Sequence, residues 1–471
     1  MDKNAMTEKI KTAFFNTFDL VVREIRTEVI NADLIFLDGM SDAQQIDLSI
    51  IRPLSEYRGE NLNFDIIKGV VTSGCSIRLT DVDDGIKSVS SGDALLVVND
   101  DVIVFGVRKG NVRAISEPPT SLVVKGPREG FVEDVKTNMV LLRRRIRSNK
   151  LIFLPITVGR FTETSVVIAF VKGIAKTDLI EKIEDKIKSI DTDGIVDSSA
   201  ISKILEPRPY SLFKQSGNTE KPDVVADKLL DGRVAIFVDG SPIAITLPFL
   251  LIEDLQVTQD SYNRNSRATF LRLMRCFAIF FALLLPSAYV AVQMHQYQIL
   301  PLQLLITVID ASEGIPFSPI IEMLVALVFF EILGEASVRM PRHVGMALSV
   351  VGAIVLGDTA VKAGMLSSVT VLIVAISGIG IYTVPDEVGV LSVLRMIFVV
   401  IGGLLGIYGI LLSVLAVIAY LSGLDCYGVP YLSPFAPIED ESLRQSIAEL
   451  NLTDKPFRTP ALKLINKRKL I

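Results

Sequence analysis

Three stretches of this chain are almost stripped of basic residues. Residues 276–338 hold no Lys or Arg, residues 343–394 hold only Lys362, and residues 396–443 again hold none. Long apolar stretches without cations belong where water is absent. Within them lie five apolar segments, 277–294, 315–333, 344–361, 366–384 and 392–424. A membrane-crossing helix needs about 20 apolar residues, so residues 263–440 read as an all-α, multi-pass membrane domain with four or five crossings. The average composition, 50% hydrophobic and 21% charged, therefore blends two unlike halves.

Upstream of residue 276 acidic and basic residues are mixed as on a solvated surface. Helical periodicity is expected at 7–27, 131–148, 178–189, 200–205 and 223–230. Strands are expected at 32–37, 93–98, 102–107, 151–157, 165–170, 233–238 and 243–247. Hairpin chemistry joins two strand pairs, at Asn99-Asp100-Asp101 and at Asp239-Gly240-Ser241-Pro242. Pro118-Pro119 breaks the pattern. The soluble part is thus α/β or α+β in two subdomains, 1–120 and 121–262, and residues 441–471 form a short basic tail.

A net charge of −5 gives no reason to expect nucleic acid as a partner. Cys75, Cys276 and Cys426 lie too far apart for a disulfide framework or a zinc site. Residues 1–15 lack an apolar core and a small-residue cleavage site, so no signal peptide is expected. His295 and His343 have no triad partner near in sequence, and there is no phosphate-binding glycine motif. The expectation is a protein with no catalytic residues, no metal and no cofactor.

Arg264, Arg267, Arg272 and Arg275 precede the first apolar segment, and Arg444, Lys455, Arg458, Lys463, Lys467, Arg468 and Lys469 follow the last. The positive-inside rule then places both ends in the cytoplasm and requires an even number of crossings. The odd segment out is 315–333, because Glu322 and Glu331 would each cost about 2.5–3.5 kcal/mol at a helix centre. It is expected at the interface or against other subunits, its Glu331, Glu335 and Arg339 on one face. This leaves Arg339 and Arg342 outside.

In 344–361, Gly345, Ser349, Ala353 and Gly357 recur every four residues and form a stripe that lets helices approach closely. About a third of a turn away lie Leu348, Val351, Val355, Thr359 and Lys362, with Asp358 at the margin. Asp358 and Lys362 are spaced to pair across one turn. They either face a water-filled interior, with that face as a pore lining, or close a helix end by snorkelling. Gly402, Gly403, Gly406 and Gly409 likewise imply tight helix packing. Arg143, Arg144, Arg145 and Arg147 end a helix, with Glu129, Glu133 and Asp134 as solvated partners, or a docking surface for a partner or anionic lipid as the other reading.

Several ordered runs resemble the A subunit of GerA-type spore germination receptors. They are Gly126-Pro127-Arg128-Glu129-Gly130-Phe131, Glu133 to Asn138, Leu141 to Ile146, Asp231 to Ile236 and Val238-Asp239-Gly240-Ser241-Pro242. They continue with Leu283 to Tyr289, Glu313-Gly314-Ile315-Pro316-Phe317, Phe330 to Ala336, Arg339-Met340-Pro341 and Gly428 to Pro434. The resemblance covers about residues 120–437. It implies a nutrient-sensing complex in the inner spore membrane, in which this subunit works with a transporter-like B subunit and a lipoprotein C subunit. It also implies a ring of A subunits whose helices surround an ion pore in the lipid bilayer, with the soluble part facing the spore core. One departure is Asp358, where relatives tend to carry Gln. A secondary transporter of a small solute and a non-conducting scaffold are the rival readings. Transporters usually carry internal repeats with interrupted helices, and none is visible in these segments.

Overall fold

The computed structural model describes residues 3–27, 30–59, 64–73, 76–79, 81–98, 101–109, 126–341, 344–345, 350–352, 354–448, 457–462, 464 and 466–469. The N-terminal half is built around two five-stranded sheets. The first is flanked by α1 (Lys3–Ala13), α2 (Ala43–Ile46), α3 (Arg52–Glu56), α4 (Phe64–Val70) and α5 (Val82–Ser90). Its strands are β1 (Leu20–Arg26), β2 (Asn31–Leu37), β3 (Ser76–Leu79), β4 (Ala94–Val98) and β5 (Asp101–Phe105), in the order β1-β2-β4-β5-β3. The second sheet has β6 (Leu151–Val158), β7 (Thr164–Val171), β8 (Gly217–Thr219), β9 (Val234–Val238) and β10 (Ala244–Leu247), in the order β6-β7-β9-β10-β8. Its helices are α6 (Val135–Arg145), α7 (Thr177–Lys188), α8 (Ser198–Leu205) and α9 (Pro222–Leu230).

The two sheets have the same strand order, and every neighbouring pair in both is antiparallel. Each also has a helix before its first strand, helices between its second and third, and one between its third and fourth. The sheet-containing half is therefore one topology used twice. Helices cover both faces of each sheet, so the central strands are apolar throughout: all of β4 and all of β9 are buried. That is why these strands read as continuous apolar runs rather than alternating ones. Charged α7 shows the helical counterpart, burying Leu179, Ile180, Ile183 and Ile187 at spacings of one to four.

Two expectations for this half are corrected. The helix expected over 7–27 ends at Ala13. Phe15 and Asn16 then adopt positive φ, and Leu20–Arg26 continues as edge strand β1 because its β-branched residues pair with β2. Helix α6 starts at Val135 rather than 131, where the Asp134 side chain caps the Thr137 amide. The turn residues 99–100 and the Pro118-Pro119 boundary lie outside the described residues.

The two sheet units are pinned together by Arg143. It is buried at the end of α6 and grips Asp19 through two hydrogen bonds of 2.8 Å, with its guanidinium 5.0 Å from the centre of the Phe153 ring. Arg145 pairs with Glu129 at 2.8 Å, as expected of a solvated helix end. The basic run is therefore only partly solvated.

The C-terminal half is helical: α10 (Ile252–Leu255), α11 (Asn265–His295), α12 (Leu302–Ser312), α13 (Pro319–Arg339), α14 (Ser368–Ile381), α15 (Val388–Ser422) and α16 (Asp440–Ile447). Among the described residues, two helical stretches are long and apolar enough to cross a membrane, Asn265–His295 and Pro385–Ser422. The second is not straight. As a continuous helix, the 35 residues of α15 would extend about 52 Å. Yet both of its ends meet one loop of the sheet-containing half: Lys214 bonds Asp386 at 3.3 Å, and Arg208 bonds the Gly423 carbonyl at 2.8 Å. The chain reverses at Gly406, whose φ of 67° and ψ of −154° suit glycine alone. A Cβ on Gly402 would meet the Ile410 side chain at 3.1 Å. Segment 392–424, read from sequence as one helix, is a helical hairpin.

Segment 315–333 also differs from expectation. In α13, Met323, Ala326 and Leu327 are buried in the core of the helical body. The Glu322 carboxylate accepts the Ser367 amide at 2.7 Å, and Glu331 pairs with Arg395 at 2.6 Å. Both glutamates thus have partners, which offsets the cost that would hold this helix at the interface. Described residues of the basic tail fold back on the sheet-containing half: Lys469 pairs with Asp231 at 2.9 Å, and Leu464 packs against Gly232.

Candidate conduction and coupling site

The described residues of the 344–362 stretch return along α13. A Cβ on Gly345 would lie 3.0 Å from the Ser337 carbonyl, and one on Gly352 would strike Leu333. Near the end of this stretch the helix widens into a π-turn, Val355–Thr359, before Ala360–Lys362. Such turns are rare and concentrate at functional positions. Of the expected lining residues, Val351 is 54% exposed, and Asp358, Thr359 and Lys362 are exposed as well. Asp358 and Lys362 pair at 2.7 Å. Val355 lies in the π-turn, while Leu348 falls outside the described residues. Of the small-residue stripe, Gly345 packs on α13, Gly357 faces open space, and Ser349 and Ala353 are outside the described residues.

Arg395 is a fully buried cation in the helical body, and the sequence reading passed over it. Its side chain is fully buried, with Nη2 donating to Glu331 at 2.6 Å and Nη1 donating to Ser377 Oγ at 2.8 Å. The guanidinium lies 5.8 Å from the Phe330 ring centre. One cation thus ties α13, α14 and the first arm of the hairpin. The available signal was a lone arginine among the apolar residues 392–424, since an unneeded charge there is expensive.

Where the hairpin meets the sheet-containing half, Lys214 gathers three carboxylates: Asp254 at 2.6 Å, Asp386 at 3.3 Å and Glu387 at 3.6 Å. Burial alone would lower the Lys214 pKa, but Asp254 and Asp386 outweigh it and hold the ammonium above its ordinary range. Burial raises the Asp254 carboxyl, with Lys214 opposing. Beside them Glu253 is buried between Arg233 and Lys228. Burial pushes Glu253 up, yet the two cations win and hold its pKa at about 2. Tyr431 and Phe249 pack on this joint with ring centres 6.1 Å apart. Lys214 thus ties the 208–215 loop to Asp386 and Glu387, the two residues just before α15. No sequence spacing links Lys214 to Asp386; only the fold does. Among the described residues no group of His, Cys, Asp and Glu is arranged to hold a metal ion.

Over residues 8–462 the chain matches the family described as Bacillus/Clostridium GerA spore germination protein. It is 32% identical over 439 residues to spore germination protein KA of Bacillus subtilis (strain 168), covering 91% of this chain and 81% of that one. It is 33% identical over 426 residues to spore germination protein A1 of the same organism, covering 90% and 88%. Among solved structures, the N-terminal domain of the A subunit of the Bacillus megaterium spore germinant receptor GerK3 aligns at 28% identity with a TM-score of 0.41, covering 51% of this chain and 92% of that one.

Proposed function

The chain belongs to the GerA family of spore germination proteins, and we propose that it is the A subunit of a nutrient receptor in the spore membrane, opening an ion pathway on nutrient sensing. The observation that carries the conduction reading is the uncovered face of 350–362. Val350, Val351 and Ile354 are each more than half exposed and run into the Asp358–Lys362 pair. Among the described residues of one chain nothing covers this face, whereas a ring of copies would enclose it. Apolar rings gate pores by dewetting, and charged rings select ions. A transporter-like B subunit and a lipoprotein C subunit complete the assembly.

The proposed path through the bilayer is α11 outward, α13 back, 344–362 outward, α14 back, and the two arms of α15 outward and back. This is an even number of crossings and keeps both chain ends on the cytoplasmic side, beside the docked tail. Residues 1–120 and 121–262 are the two soluble subdomains and transmit the signal through the Lys214 joint.

Ion flux in vesicles holding the chain with its partner subunits tests the reading. Val355→Ala is expected to leak without nutrient, because a smaller apolar ring lowers the barrier to wetting. Asp358→Asn unmasks the Lys362 ammonium and reduces cation flux. Gly357→Leu blocks assembly by filling the open space beside the helix. If Val355→Ala and Asp358→Asn leave flux and triggering unchanged in an assembled complex, residues 344–362 do not line the path. Nutrient-coupled solute uptake would favour a transporter, and no flux at all a scaffold.

A further inference from the structure

The loop between α8 and β8, residues 206–216, is held at every point except its tip. Gln215 is fully buried, and its side-chain amide clasps Arg208 from both sides, accepting the Arg208 amide at 3.1 Å and donating to the Arg208 carbonyl at 2.9 Å. Glu206 Oε1 accepts the Gln215 amide at 3.0 Å and the Ser216 hydroxyl at 3.1 Å. Arg208 reaches the Gly423 carbonyl, and Ser211 Oγ accepts the Tyr420 hydroxyl at 2.9 Å. Phe213 is buried with Leu394, Leu421 and Leu424. Pro207 and Pro209 stiffen the remaining backbone.

This frame presents two large apolar residues to the outside. Tyr210 is wholly exposed at 102%, and Leu212 is 50% exposed. A floppy loop can hide such residues by moving, but this one is braced. Its position is equally specific. It sits between the two feet of the α15 hairpin, at Asp386 and Gly423. The second arm, residues 407–422, is about 24 Å long, against a hydrocarbon core of roughly 30 Å. Exposed Leu411, Leu415 and Ile418 run down that arm to half-exposed Tyr420, and Tyr420 is bonded to Ser211, the residue between Tyr210 and Leu212. Tyr is the side chain favoured where hydrocarbon gives way to headgroups, having an apolar ring and a hydroxyl that stays wet.

We propose that loop 206–214 enters the headgroup layer of the lipid bilayer, with Tyr210 and Leu212 inserted beside the foot of the hairpin. The inference rests on the membrane reading above. It gives the soluble half its own membrane anchor at the place where the Lys214 joint passes movement to the hairpin.

The chain has no Trp, so one introduced indole reports its own surroundings. Three single substitutions in the full chain suffice, in vesicles of phosphatidylcholine and phosphatidylglycerol with and without lipid brominated near the headgroup. Tyr210→Trp probes the loop. Tyr408→Trp, at a 75% exposed position just past the Gly406 turn, probes the hairpin. Phe161→Trp, at an 83% exposed position in the β6–β7 turn, probes the strand ends remote from Leu247 and the helical body. Bromolipid is expected to quench the indoles at 210 and 408 and to spare the one at 161, with emission at 210 blue of that at 161. Quenching at 408 without quenching at 210 overturns the proposal and leaves the membrane reading standing. A blue-shifted but unquenched indole at 210 also overturns it, showing that a second copy or a partner subunit covers the loop. No quenching at either 210 or 408 overturns the membrane reading, and the loop proposal with it.

Discussion

Removing Arg395 isolates the effect of one buried cation on three helices. In Arg395→Met the Glu331 carboxylate loses its partner at 2.6 Å and Ser377 loses a donor at 2.8 Å. Breaking a buried ion pair by deleting one partner costs about 3–5 kcal/mol, because the other charge is left stranded. Glu331 keeps 31% exposure, so the lower part of that range applies, about 3 kcal/mol. At about 2–4 °C per kcal/mol for a body of this size, the unfolding midpoint falls by roughly 6–12 °C. Ser377 itself stays satisfied through the Ala282 carbonyl at 2.6 Å. The diagnostic variant is the double one, Arg395→Met with Glu331→Met. Replacing a whole buried pair by apolar residues of similar volume is often neutral or stabilising, so the midpoint should recover most of the loss. The assay is thermal aggregation of the full chain in detergent, followed by size-exclusion chromatography after heating. A double variant as damaged as the single one, or a single variant shifted by less than about 2 °C, would refute the view that the guanidinium serves chiefly to neutralise Glu331.

Three further expectations rest on separate parts of the fold. Arg143→Met strands buried Asp19 between the two sheet units and should cost about 3–5 kcal/mol, read as earlier proteolysis between residues 109 and 131. The Glu253 carboxyl, held at about 2 against an ordinary 4.5, contributes stability above pH 4.5 that fades as pH falls toward 2. Glu253→Gln should therefore lower stability at pH 7 by on the order of 3 kcal/mol, and the gap to the unaltered chain in circular-dichroism melts should close below pH 4.5. Gly406→Ala forces a Cβ into a conformation that costs about 1–3 kcal/mol for other residues and brings it within 3.1 Å of Gln296 Nε2. It should lower the detergent melting midpoint, whereas Gly389→Ala, with open space around it, should not.

The division of the chain into a sheet-containing half and a helical half was decided by composition, because charge cannot be spread through long apolar runs and apolar runs cannot be spread through solvent. Periodicity also placed most central strands and the helices α7, α8 and α9, whose local preferences agree with their burial. Tertiary contacts decided the rest. Leu20–Arg26 carries a pattern that fits a helix about as well as a strand, and pairing with β2 settled it as a strand. Residues 392–424 are apolar enough for one long helix, and only the positive φ at Gly406 and the return of both ends to one loop reveal the hairpin. Glu322 and Glu331 looked too expensive for a buried helix until the fold supplied the Ser367 amide and Arg395. The shared topology of the two sheets is likewise absent from any visible sequence repeat, since strand order depends on which strands pair and many residue patterns permit the same pairing. A sequence sets what each segment can tolerate. Which partner meets a charge, and where a chain doubles back, are properties of contacts between residues far apart in the chain.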